Sequence, residues 1–138
     1  MQGYNCIMVY DKTKKKLLFC KRQKPPYEGL YNLVGGKIDP EENGFVAAYR
    51  ELEEETGITK NDITLSHMMD FTYYNQNCFV EVYVGYLSHS IQLREEAHPL
   101  IWLDLHHDFF DCTKFAGEGN IGHMVEQVKI YGQGLYKN

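Results

Sequence analysis

Four of the five residues from 51 to 55 are glutamates, in the run Arg50-Glu51-Leu52-Glu53-Glu54-Glu55-Thr56-Gly57-Ile58. The run closes a stretch with helical apolar spacing. Glu51, Glu54 and Glu55 stand at i, i+3 and i+4, so their carboxylates share one helix face about 5–6 Å apart. At an effective dielectric near 20, each such pair repels by roughly 3 kcal/mol. The helix dipole adds to the cost, because it disfavours anions at the C-terminus. A fold that contains this helix must bring it a compensating charge, and a divalent cation is the simplest candidate.

The remaining sequence reads as one α/β domain over residues 1–138, with 43% hydrophobic and 14% aromatic residues to build a core. A net charge of −5 argues against binding polymeric nucleic acid, which requires a basic stripe. It does not argue against a small anion, since a bound metal inverts the local field. Cys6, Cys20, Cys78 and Cys112 are scattered without a CxxC pair, and buried thiols are expected for the first two. No apolar run approaches the length of a membrane span and no leader pattern is seen, so a cytoplasmic protein without a membrane partner is expected. Both a monomer and a homodimer are compatible with the sequence.

Strands are expected at Tyr4–Tyr10, Leu17–Cys20, Ile63–Tyr74, Cys78–Leu87 and Leu100–Leu105, with a short strand end within Leu30–Val34. Two start signals compete for the first helix: Asp39 with Pro40 and Glu42, or Asn43 as N-cap. Phe45, Ala48, Tyr49 and Leu52 would face the core, and Gly57 would end the helix. Ile121–Tyr131 reads as a second helix with Met124, Val125 and Val128 as its stripe. Gly117 to Gly122 fits GxGxxG, but too little chain follows for a dinucleotide-binding unit, so a glycine-rich loop is expected. The histidines show no ligand spacing.

Gly36-x5-Glu42-x7-Arg50-Glu51-Leu52-x-Glu54-Glu55-x-Gly57-Ile58 resembles the Nudix box at every specified position. The resemblance implies a Nudix-type α/β/α sandwich around a mixed sheet, with the box as a loop–helix–loop. It also implies Mg2+- or Mn2+-dependent hydrolysis of a nucleoside diphosphate linked to a further group. Carried over by position, Glu51, Glu54 and Glu55 would ligate metal together with the Gly35 carbonyl. Glu42 would support the loop or an outer metal, and Arg50 would orient a glutamate. Lys37 would pair with a loop acid or approach the phosphates. Carboxylates and carbonyls are hard oxygen ligands suited to Mg2+, which supports these roles.

The stretch Leu30 to Lys37 is similar to that of MutT-type enzymes, in which an Asn upstream of Gly-Gly-Lys reads the base. Asn32 is therefore a base-recognition candidate; an Asn closing a strand end is the competing structural reading. Trp102, the sole tryptophan, is a candidate for stacking on the nucleobase or for plain core packing. Lys21 and Arg22 are phosphate candidates. Glu95 or Glu96 would serve as the base that activates water, as would a box glutamate. These features favour conversion of a nucleoside triphosphate, such as an oxidised purine, to monophosphate and pyrophosphate. A dinucleoside polyphosphate or nucleotide-sugar hydrolase is the enzymatic rival. A nucleotide-binding regulator without catalysis is the rival of another class, disfavoured by the intact box.

Overall fold

The computed structural model describes residues 1–135; positions 136–138, the end of the expected domain, lie outside the described residues. The chain runs β1 (Gln2–Tyr10), β2 (Lys16–Lys21), β3 (Tyr31–Asn32), β4 (Lys37–Ile38), α1 (Gly44–Thr56), β5 (Ser66–Tyr73), β6 (Cys78–Tyr86), β7 (Leu100–Asp104) and α2 (Asn120–Tyr131). The seven strands form one mixed sheet in which β1 pairs in parallel with β6 and the other pairings are antiparallel.

Alternation along β1 divides the core. Ile7 and Val9 pack with Leu18, Ala48, Leu52 and Ile58 on the α1 face. Met8 and Tyr10 pack with Phe19, Val82, Met124, Val125 and Val128 on the α2 face. The result is the expected α/β/α sandwich.

The topology opens a gap where the box loop sits. β1 and β2 meet only at Tyr10 and Leu17, beside their connecting turn. Beyond it they diverge, and residues 31–38 occupy the space: Asn32 pairs with Cys20 of β2, Val34 bridges Ile7, and Lys37 pairs with Tyr4 of β1. The expected strand end at Leu30–Val34 is thus two residues of β3 and one isolated bridge. The chain crosses from the β2 edge to the β1 edge between Asn32 and Val34, and Gly35-Gly36 then runs along β1.

Asn43, rather than Asp39, caps α1: its side chain accepts from the Phe45 N–H at 2.8 Å. Gly57 ends the helix at φ 82°, its N–H donating to the Glu53 carbonyl. Ala47, Ala48, Leu52 and Thr56 are the buried residues of α1, whereas Phe45 is 40% exposed and Tyr49 half-buried. The expected core face is rotated because the helix start overhangs β5 and β6, where Phe45 packs edge-on against Tyr83 and His67. Ile63 lies outside β5 and only bridges Leu87. The four cysteines are free; Cys20 and Cys78 are buried, Cys6 is half-buried and Cys112 exposed.

Candidate active site

The Gly35-Gly36 turn is held by one residue of β1. The Asn5 N–H donates to the Gly36 carbonyl at 2.8 Å, and the Asn5 side-chain oxygen accepts from the Gly36 N–H at 3.0 Å. Gly35 adopts φ 146°, and a Cβ there would collide with the Asn5 carbonyl. At Gly36 a Cβ would lie 2.5 Å from the Glu51 carboxylate. Both positions therefore require glycine, one for conformation and space and the other for the approach of Glu51.

Arg50 supplies most of the compensation that the acids need. Its Nε donates to Glu42 Oε2 at 2.6 Å and its Nη2 to Glu42 Oε1 at 2.7 Å. Nη1 reaches Glu51 at 3.1 Å and Glu54 at 3.3 Å, and Nη2 also donates to the Lys37 carbonyl at 3.1 Å. This grip pulls the Glu42 carboxyl down to about 2, with backbone bonding around Asp39 assisting. Glu42 thereby ties the loop to the helix. The Lys37 side chain is exposed and contributes no ion pair among the described residues; its backbone does the binding.

A second cation acts on the helix end. No basic residue lies in the last turn of α1, but Arg94 packs there from the loop before β7. Its N–H donates to the Thr56 carbonyl at 2.9 Å and its guanidinium to the Glu53 carbonyl at 3.4 Å. This offsets the negative end of the helix dipole. Nothing in the local sequence around 94 signals the role.

Arg50 does not reach Glu55. Burial pushes the Glu55 carboxyl up to about 8, with the neighbouring Glu51 adding to the rise. Backbone bonding from Gly35 and the charge of Arg22 pull the other way and lose. Glu51 is also raised, first by burial, although Arg50 holds it. Glu54 is half-exposed at 52%. Glu51 thus lies against Gly36 and Glu55 beside Gly35, with too little positive charge between them, while Glu54 reaches out from the same helix face to Arg50. That is a donor set for a divalent cation of hard-oxygen preference, and the residues present fit one.

The other candidates separate by sheet face. Arg22 and Glu96 both act electrostatically on Glu55. Arg22 also donates to the carbonyls of Pro25 and Pro26. Lys21 lies on the opposite face, its amine 5.7 Å from the centre of the Tyr31 ring. Glu95 accepts from the Leu100 N–H at 2.8 Å and so caps the start of β7. Asn32 is half-buried on the α1 side, and its side-chain oxygen accepts from the Leu33 N–H at 2.9 Å. Trp102, half-buried beside Leu18, packs on the α1-face core.

A family model described as NUDIX domain matches residues 2–111. No curated protein matches the chain in sequence. Among solved structures, an Ap4A hydrolase complex from C. elegans is similar at TM-score 0.76 and 20% identity, covering 97% of this chain and 99% of that one. A MutT structure from work on Aliivibrio salmonicida and Vibrio cholerae aligns at TM-score 0.69 and 17% identity, covering 94% and 98%. A MutT/nudix family protein from Enterococcus faecalis aligns at TM-score 0.64 and 18% identity; the match covers 77% of this chain and 44% of that protein.

Proposed function

The chain belongs to the NUDIX domain family, whose members hydrolyse acid anhydrides, and on that premise we propose that it is a Mg2+-dependent pyrophosphohydrolase of the MutT type. It converts a nucleoside triphosphate, best an oxidised purine such as 8-oxo-dGTP, to monophosphate and pyrophosphate. The observation that carries this reading is the inequality of the box acids: Arg50 satisfies Glu42 and shares Glu51 and Glu54, and Glu55 is left without a direct cation among the described residues.

Glu51, Glu54, Glu55 and the Gly35 carbonyl would hold the cation, with Mn2+ as an alternative ion. When bound, it neutralises phosphate charge and acidifies a water. The chain's own residues do the rest. Asn5 keeps the Gly35-Gly36 backbone in place, and Arg50 holds Glu51 and Glu54 toward it. Arg22 supplies positive charge toward a phosphate. Attack of a water oxygen on phosphorus breaks the bond to the pyrophosphate leaving group, and the water's proton passes to a carboxylate. Glu96 is the better candidate for that carboxylate, because it lies within electrostatic reach of Glu55 and Glu95 is bonded to the β7 backbone.

One observation keeps a second substrate reading in play. Because its oxygen already accepts from the Leu33 N–H, Asn32 is partly committed to the loop and has its amide N–H groups and one acceptor lone pair left for a base. A dinucleoside polyphosphate or nucleotide-sugar substrate does not depend on that contact. Chromatography of products from nucleoside triphosphates, dinucleoside polyphosphates and nucleotide-sugars with Mg2+ separates the readings. Pyrophosphate release supports the triphosphate assignment, and two monophosphates from a sugar nucleotide would replace it. Tight Mg2+-dependent nucleotide binding without turnover of any substrate would replace it with a regulatory role.

A further inference from the structure

At the opposite end of α1 from the box glutamates, three ligand-bearing side chains converge on the sheet. His67 and Asp70 of β5 and Glu81 of β6 bring one nitrogen and two carboxylate oxygens to within 4.8 Å of one another. Residues three apart in a regular strand face opposite sides, so His67 and Asp70 should diverge. The register shows why they do not. His67 pairs with Tyr83 but Met69 pairs with Val82, so Met68 is an extra residue, and this β-bulge turns both side chains to one face.

Asp70 stands directly opposite Glu81, an arrangement in which like charges destabilise a sheet. The cluster is held in position from several sides. His67 Nε2 lies 2.6 Å from Asp70 Oδ1, and the Tyr83 hydroxyl donates to Glu81 Oε1 at 2.7 Å. The His67 ring stacks on Tyr83 with centroids 4.6 Å apart. Gly44 presses its backbone onto Glu81 and Tyr83, where a Cβ would collide with both.

A separate observation comes from β1. Asn5 is the residue in register with Glu81 on the neighbouring strand, and it is 3% exposed. Its side-chain nitrogen is buried without a partner among the described residues. The amide oxygen accepts from the Gly36 N–H on one edge of β1, and Glu81 is the residue in register across the other edge. Glu81 accepts from Tyr83 alone among the described residues, so it has capacity for that donor. Metal-ligating carboxylates are commonly oriented by such outer hydrogen bonds.

We propose that His67, Asp70 and Glu81 form a divalent-cation site distinct from the box, suited to a transition metal of the Zn2+ class. An imidazole nitrogen with two carboxylates favours such an ion over Mg2+. Bonds of about 2.0–2.2 Å place neighbouring ligands about 3.4 Å apart. The His67–Asp70 pair opens slightly, and Glu81 closes on it by side-chain rotation. Asp70 and His67 are exposed enough to admit an ion from solvent, at 51% and 34%. The twelve residues from Gly44 to Glu55 put about 16 Å of helix between the Gly44 end and Glu55.

The test is calorimetric titration of Zn2+ into the full chain carrying Glu51→Gln and Glu54→Gln, which weakens competition from the box. One equivalent of uptake is expected, and adding His67→Ala should weaken it at least 30-fold. Co2+ should give a visible absorption band that His67→Ala abolishes. Should His67→Ala fail to fold by circular dichroism, Asp70→Asn decides by the same readouts. No uptake by the box variant, or equal uptake after removing His67 or the Asp70 charge, overturns the proposal and leaves an ordinary ion pair.

Discussion

Arg50 and Glu42 form a two-pronged pair, Nε to Oε2 at 2.6 Å and Nη2 to Oε1 at 2.7 Å, that joins the helix to the loop preceding it. The planar fork matters, because a lysine ammonium cannot place two parallel donors on one carboxylate while also reaching Glu51 and Glu54. Arg50→Lys should lower turnover about 100-fold through misplaced acids. It should also cost about 2 kcal/mol of stability from lost charge-assisted hydrogen bonds. Steady-state kinetics and urea melts check the two parts.

Glu54 is half-exposed, and its one side-chain partner among the described residues is Arg50. Glu54→Gln should leave the melting temperature within error of the parent. Turnover should fall at least 100-fold, about 3 kcal/mol of barrier. Unchanged turnover would remove Glu54 from the metal site.

Glu55 carries a pH signature. In the fold its carboxyl holds a proton up to about pH 8, against an ordinary value of 4.5. Between those values the folded state binds the extra proton, so metal-free protein should lose stability as pH rises from about 5 to about 8. Mg2+ binds the ionised form and should reverse the loss. Thermal melts across that range in EDTA and in excess Mg2+ test this. Glu55→Gln should flatten the metal-free profile, and a parent profile already flat would show that Glu55 ionises normally.

Gly36→Ala would place a methyl 2.5 Å from the Glu51 carboxylate. A glutamate side chain can swing aside, so the fold should survive. Mg2+ affinity should fall at least tenfold by calorimetry as Glu51 leaves the loop. Retained affinity would place Glu51 outside the cation site.

Asn32→Ala separates base reading from strand-end support. Loss of the bond to the Leu33 N–H should cost about 1 kcal/mol in a denaturant melt whichever role holds. A rise in KM confined to purine substrates would identify a base reader. An equal rise for pyrimidines would leave Asn32 a purely local brace.

Legibility differed from element to element for physical reasons. The end of α1 at Gly57 and the stripe of α2 were readable because capping and helical periodicity are local. The start of α1 was ambiguous because Asp39 and Asn43 carry equivalent capping chemistry; Glu42 bonds back to the Asp39 N–H at 3.1 Å, so the upstream signal makes a turn instead. The His67–Asp70–Glu81 cluster was missed because a bulge at Met68 breaks the period of two on which strand reading relies.

The box acids, their arginine and the two glycines were plain in the chain, since spacing along a helix and the absence of a Cβ are properties of neighbouring residues. Which acid remains without a cation, which face Lys21 and Arg22 take, and that Asn5 and Arg94 brace the site came only from the folded sheet. Burial and long-range pairing set those outcomes: the gap between β1 and β2 brings residues thirty positions apart into hydrogen-bond contact, and no local pattern encodes that distance.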